Sequence, residues 1–262
     1  MSFASRRVSV PARLVREIGG LLCTRPAKVK WPGGVVSFTF DDFPRSAWTE
    51  GGAILERLGA HGTYYAALGL AGGEDHLGPM FGLDDLRAAQ ARGHEIACHT
   101  FSHRDCRRAS AAEIAAEVET NAAALAQALN GAAACDFAYP FGAVSQAAKS
   151  ALARRFASCR GCGPGVNHGT VDLADLFGNS LYGATFDRAR LLGLIDRARE
   201  IGGWTIFYTH DVRDAPSAYG CTPAQFAEIA GYAAGKAAVL PVRDVLARLG
   251  IAGAQPASPQ AA

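Results

Sequence analysis

Two carboxylates, Asp41 and Asp42, close the apolar run Val35-Val36-Ser37-Phe38-Thr39-Phe40, and two imidazoles four residues apart, His99 and His103, follow the run Glu95-Ile96-Ala97-Cys98. These types and spacings suit a metal-dependent hydrolase. A catalytic divalent cation is commonly held by about three protein ligands, with one position left for water. Asp42, His99 and His103 supply such a set and leave Asp41 over. Consecutive side chains on an extended segment point to opposite sides, so Asp42 can face the metal while Asp41 turns toward substrate and water. Metal-bound water has a pKa near ~7 and needs only a weak base beside it, a role that suits Asp41. The alternative for the Asp pair is a turn or a helix cap. For the histidines it is a surface pair or a hydrogen-bonded core pair. Thr100 stands where the zinc peptidase pattern HExxH needs Glu, so the pair does not read as a metallopeptidase site.

Apolar, β-rich runs at 35–40, 63–67, 94–98, 135–139, 156–159, 204–209 and 237–240 alternate with helical patterns, the signature of βα units around a parallel sheet. Ser110 and Glu113 form a capping box ahead of Ile114, Val118, Leu125 and Leu129, whose spacing keeps one helical face apolar. Thr222-Pro223-Ala224-Gln225 repeats the device with Pro at the first helical position. Further helices are predicted from Asp187 to Ile201 and from Pro241 to Leu249. A length of 262 residues permits one α/β barrel domain. The net charge of +2 excludes the electrostatic footprint of a nucleic-acid binder, and no phosphate-cradling glycine motif follows a strand.

Four segments in order, Thr39-Phe40-Asp41-Asp42, Gly93 to His103, Phe137-Ala138-Tyr139-Pro140-Phe141-Gly142 and Tyr208-Thr209-His210, resemble the motifs of the polysaccharide deacetylase family, the NodB-homology or carbohydrate esterase family 4 domain. The resemblance spans residues 33 to 213 and implies a distorted (β/α) barrel of about seven parallel strands. Asp41 and Asp42 then follow the first strand, His99 and His103 the third, Pro140 to Gly142 the fourth and His210 the sixth, all at C-terminal strand ends, where barrel enzymes build active sites. The implied reaction is metal-dependent removal of an N-acetyl group from an amino sugar in a glycan or glycan precursor that is polymeric, lipid-linked or nucleotide-linked. Asp41 would be the base and His210 the acid, with Asp211 placed to orient it. Tyr139, Pro140, Phe141, Gly142 and Tyr208 would form the substrate and oxyanion wall, a backbone N–H of residues 138–141 being the donor. The donor set suits zinc, and also cobalt, manganese, nickel or iron. Deformylation or another amide hydrolysis on the same metal site, and non-catalytic carbohydrate binding, are the alternatives.

The chain departs from the family pattern in four places. Ala138 stands where many members carry an arginine that positions the catalytic Asp, Phe43-Pro44 after the Asp pair puts bulk at the mouth that would narrow the substrate range, and Tyr208 stands where Leu is usual. The family's fourth motif has only Asp172 as a candidate.

Residues 1–32 read as a basic extension, 33–250 as the catalytic domain and 251–262 as a disordered tail. The stretch from Ile18 to Cys23 is too short, and too broken by Gly19-Gly20, for a signal segment or a span, which predicts a cytoplasmic protein. A helix over 11–23 could touch the inner membrane face. Seven cysteines, an odd number, fit a reducing compartment, and Cys159-Arg160-Gly161-Cys162, without a second ligand pair at finger spacing, reads as free thiols.

Overall fold

The computed structural model describes residues 24–251. The expectations for an N-terminal surface helix and a disordered tail fall outside the described residues. The run after Gly34 forms a seven-residue strand buried along its whole length, β2 (Val35–Asp41), preceded by β1 (Pro26–Val29). Then come β3 (Thr63–Ala66), β4 (Glu95–Cys98), β5 (Asp136–Ala138), β6 (Ser158–Arg160), β7 (Gly169–Asp172), β8 (Asn179–Ser180), β9 (Trp204–Thr209) and β10 (Ala238–Val239). The main sheet runs β8-β9-β2-β3-β4-β5-β6, with β10 also on β2, and each of these pairings is parallel. It curls into a half-barrel whose seam lies between β6 and β8, where Arg160 of β6 bridges Leu176 in the segment that leads into β8. The expected strands all form. β8, two residues long, carries no apolar run by which to recognise it.

Alternation along β2 sends Val36, Phe38 and Phe40 into the apolar core beneath the helices. Ser37, Thr39 and Asp41 face the barrel axis, and this interior is polar. Thr63 and Tyr65 of β3, Glu95 of β4, Asp136 of β5 and Ser158 and Arg160 of β6 join them, all buried. The Trp204 indole N–H donates to Ser37 Oγ at 2.9 Å, and Thr63 Oγ1 donates to Glu95 Oε2 at 2.8 Å. A barrel filled by branched aliphatics would leave no place for charge beneath the active-site rim.

The outer layer comprises α1 (Ala53–Arg57), α2 (Leu83–Ala91), α3 (Ala111–Ala128), α4 (Gln146–Leu152), α5 (Arg188–Ile201), α6 (Pro223–Lys236) and α7 (Val242–Arg248). Ser110 and Thr222 cap α3 and α6 in reciprocal boxes, and Asp187 caps α5. Residues 26–29, assigned from sequence to the extension, pair antiparallel with β7, and Val29 packs in the core with Trp204 and Ile206. No helix of the described residues is long and apolar enough to cross a membrane.

Helix α3 reaches through the layer to the sheet. Buried Asn121 accepts the Leu68 N–H at 2.9 Å and donates to the Ala66 carbonyl at 3.0 Å, closing the end of β3. Asn121→Ala leaves the Leu68 N–H unpaired and is expected to cost about 1–3 kcal/mol. The check is a lower urea midpoint at unchanged m value.

Candidate metal and hydrolytic site

Asp41 is the last residue of β2, and Asp42 leaves the strand with φ 61°, a left-handed turn that swings its carboxylate away from its neighbour's. His99 follows β4, and the chain turns through Thr100 (φ 60°) before His103 (φ 56°), bringing both imidazoles to the same carboxylate. Asp42 Oδ1 lies 3.4 Å from His99 Nε2 and 3.2 Å from His103 Nε2. The ligand atoms of the three residues lie within 4.8 Å of one another. His99 Nδ1–H donates to the Ala138 carbonyl at 2.8 Å, which leaves the Nε2 lone pair for a ligand. Asp42 Oδ1 is buried with no hydrogen-bond donor, an orphan that a cation would satisfy. Burial pushes His99 down to about 3 and His103 below its ordinary value, so both favour the neutral, ligating form. Burial pushes Asp42 up to about 6, with the charges of Asp41 and Asp75 adding to the rise. These donors fit a divalent metal.

Asp41 behaves differently, although it too is buried. Burial alone would raise its carboxyl, but the Arg160 guanidinium, with His99 and His210, more than offsets this and holds it below the ordinary value. Arg160 Nη2 contacts Asp41 Oδ1 inside the barrel. Asp41 and the metal set share one cavity of about 490 Å³ with His210, Tyr208, Phe141, Gly142, Cys162, Tyr182, Tyr219 and His76.

His210 follows β9, with Nε2 3.8 Å from Asp42 Oδ2 and Nδ1 3.2 Å from the Tyr219 carbonyl. Asp211, expected to orient this imidazole, instead accepts from Arg213 Nε at 2.9 Å, Ser217 N at 2.8 Å and Ser217 Oγ at 2.5 Å. It anchors the loop that presents Tyr219, so its action on His210 is indirect. Phe141 has φ 59°, and its ring is 70% exposed, 4.3 Å from the His103 ring. Within residues 138–141, the Tyr139 N–H is bonded to the Arg160 carbonyl and Pro140 has none, while the Phe141 N–H makes no bond to a backbone carbonyl.

Several sequence readings are corrected. Tyr139 turns into the core, donating to the Ala174 carbonyl at 2.8 Å, and Pro140 is buried, so neither lines the cavity. Phe43 is buried, its ring 4.4 Å from Tyr64 and 5.0 Å from Phe81, and does not narrow the mouth. Asp172 binds Lys149 Nζ at 2.7 Å and the Thr24 and Arg25 N–H groups, fastening β1 to the barrel rather than serving the cavity. Cys159 packs in the core, whereas Cys162 lines the cavity, and both are free thiols. His76, which lies outside the four motif segments, lines the cavity with Tyr182 and Tyr219, and none of the three carried a sequence signal. Arg160 did carry one. A charged residue two positions after Ser158 shares its inward face, but no sequence rule says which carboxylate it meets.

Helix α3 braces the ligand loop, because Glu117 accepts from the Phe101 and Ser102 N–H groups at 3.0 and 2.8 Å and from Ser102 Oγ at 2.8 Å. Glu117→Ala is expected to weaken metal affinity roughly 10–100-fold with the fold intact, measured by chelator competition alongside circular dichroism. Below about pH 6 Asp42 must release its proton on loading, while His99, pushed down to about 3, is already neutral. Cobalt affinity should therefore fall about tenfold per pH unit below pH 6 and level off above pH 7, with calorimetry showing about one proton released on the acid side.

A family model described as polysaccharide deacetylase matches residues 28–155. No curated protein matches the sequence. Among solved structures, a cobalt complex of a family 4 acetyl xylan esterase from Clostridium thermocellum is 17% identical, with a TM-score of 0.60 over 83% of this chain and 93% of that one. A putative polysaccharide deacetylase from Mycobacterium smegmatis is 15% identical, with a TM-score of 0.58 over 92% of this chain and 99% of that one. The family 4 carbohydrate esterase PdaA of Bacillus subtilis is 12% identical, with a TM-score of 0.56 over 85% of each chain. The matched segment, residues 28–155, carries Asp41, Asp42, His99 and His103, and the solved structures share the half-barrel on which these residues sit.

Proposed function

We propose that this protein is a metal-dependent N-deacetylase of an amino sugar in a glycan or glycan precursor. The observation that carries the reading is the convergence, in one cavity, of Asp42, His99 and His103 with a second carboxylate, Asp41, that ligates nothing in their set. Asp42, His99 and His103 would hold the metal, zinc being the first candidate, and when bound it polarises the acyl carbonyl and acidifies water. Asp41, kept ionised by Arg160, takes the proton of the attacking water. The Phe141 N–H is the donor left free in its segment to face the developing oxyanion. His210 commits Nδ1 to the Tyr219 carbonyl, so the proton it gives to the departing amine sits on Nε2. The exposed Phe141 ring, with Tyr219 49% exposed beside the cavity, offers apolar faces to a sugar ring. Six free thiols among the described residues support a reducing compartment, hence a cytoplasmic, precursor-level substrate.

The test is mass spectrometry of N-acetylated sugars, free, nucleotide-linked, lipid-linked and polymeric, incubated with metal-loaded protein. Acetate release from an amino sugar supports the reading, formate release from an N-formyl sugar alone would redirect it to deformylation, and no release from any of them defeats it. Asp41→Asn is expected to lower kcat by about 10²–10⁴-fold while metal affinity stays within about tenfold of wild type.

A further inference from the structure

We propose that the cavity takes one terminal amino-sugar unit and that His76 and Tyr219 bar the internal units of a polymer; the proposal rests on the reading of the site as an amino-sugar N-deacetylase. An internal unit carries glycosidic bonds on two sides of its ring and needs two exits from a site. A terminal unit needs one. The rim of this cavity is continuous over much of its circuit. The His76 and Tyr219 rings lie 6.0 Å apart, Tyr219 and Tyr182 5.8 Å, and Tyr182 and Tyr208 5.6 Å. The wall then passes to Cys162, and the Arg160 guanidinium fills the space behind, 4.7 Å from the Tyr208 centroid with Nη1 3.6 Å from Cys162 Sγ. Gly142 lies flat against that thiol, since a Cβ there would sit 2.7 Å from Sγ, and beside it the Phe141 ring packs on His103. The circuit of contacts stops at Phe141 on one side and at His76 on the other, both largely exposed, and the gap between these lips is the exit. The enclosed volume of about 490 Å³ is near the lower end of the ~300–1,000 Å³ of sites that surround one small molecule.

The stretch of wall formed by His76 and Tyr219 is fixed in place. His76 is at the tip of a hairpin in which Glu74–Asp75 pairs antiparallel with Gly78–Pro79, and Tyr219 stands on the loop after β9. The neighbouring Leu77 is buried, and its N–H donates to Asp75 Oδ1 at 2.7 Å, which pins the tip. The Phe81 N–H donates to the Phe43 carbonyl at 3.1 Å and fastens the hairpin to the turn that follows the Asp pair. From the opposite loop Arg213, bonded through Nε to the buried Asp211, reaches across with Nη2 3.4 Å from the His76 carbonyl. Gly78, with φ 97°, admits the guanidinium, since a Cβ there would sit 2.7 Å from Nη1. Two loops tied together across the rim stand where a polymer would need a second way out. Discrimination built this way acts by obstructing the wrong substrate rather than by gripping the right one more tightly.

The experiment uses cobalt-loaded protein and a ladder of N-acetylated amino-sugar oligomers, from the monosaccharide to the hexasaccharide, isotope-labelled at the reducing end and sequenced by tandem mass spectrometry. Wild type is expected to remove one acetyl group per chain, at a terminal unit, with kcat/KM varying less than about threefold along the ladder, because units outside the wall add no binding energy. Tyr219→Ala, which keeps the backbone carbonyl that His210 contacts, should open a second exit. Internal units should then react, and kcat/KM for the hexasaccharide should rise about tenfold relative to the monosaccharide. His76→Ala should act in the same direction, as should Gly78→Ala, which displaces the Arg213 clasp from outside the cavity. Cobalt affinity and melting temperature identify any variant that has lost its fold. Internal deacetylation by wild type overturns the proposal, as does an unchanged positional pattern in the folded variants. If wild type deacetylates no member of the ladder, the functional reading fails by itself, and calorimetric binding of the same ladder to cobalt-loaded Asp41→Asn decides the rest. Equal affinity for all lengths supports a single-unit cavity; affinity that rises with length, or none for any member, overturns it.

Discussion

Two ionised carboxylates in adjacent positions of a dry cavity repel each other strongly, and they can coexist only if each is given its own countercharge. The architecture of this site follows from that constraint. Asp41 ends its strand facing the barrel axis and meets a guanidinium; Asp42 breaks out of the strand in a left-handed turn and meets two imidazoles. Burial acts on both, yet Asp41 is held below its ordinary value and Asp42 is pushed up to about 6. The difference sets the two carboxylates apart, one paired with a guanidinium and the other grouped with two neutral imidazoles in a set that could hold a cation.

Meeting this constraint strains the backbone, and the strain is concentrated at the site. Of the six non-glycine residues with positive φ among the described residues, Asp42, Phe43, Thr100, His103 and Phe141 lie in or beside the cavity, and Asn130 is the exception. Each such conformation costs on the order of 1–3 kcal/mol and persists only where the surroundings over-determine it. Here the surroundings are hydrogen bonds from elements outside the loops. Glu117 of α3 gathers three donors from the turn before His103, Arg104 N–H donates to Thr100 Oγ1 at 2.8 Å, and Asp211 gathers three donors from the loop behind His210. The ligand-bearing loops are therefore extensions of the rigid layer.

The same turns mark where sequence reasoning lost its footing. Helix starts were legible at Ser110, Asp187 and Thr222 because a cap is a local bond spanning three residues. The strands were legible because alternation and apolar runs are local as well. Past a strand end the period stops, so Phe43 was read as facing the mouth when the left-handed turn sends it into the core, and Tyr139 was read as facing substrate when it bonds Ala174. Asp211 sits beside His210 in sequence, but an extended chain turns neighbours to opposite sides, and its carboxylate faces Ser217 and Arg213.

By itself the order of residues determined the candidate ligand types, their placement at the C-terminal ends of strands, and the βα alternation that makes a parallel barrel, since each depends on spacing within one segment. Only the tertiary structure decided which partner each carboxylate received. Arg160 is 119 residues from Asp41 and reaches it because the sheet curls until its edges, β6 and β8, approach across a seam where Gly178 leaves room. A contact set by curvature and by the absence of a side chain elsewhere has no local signature.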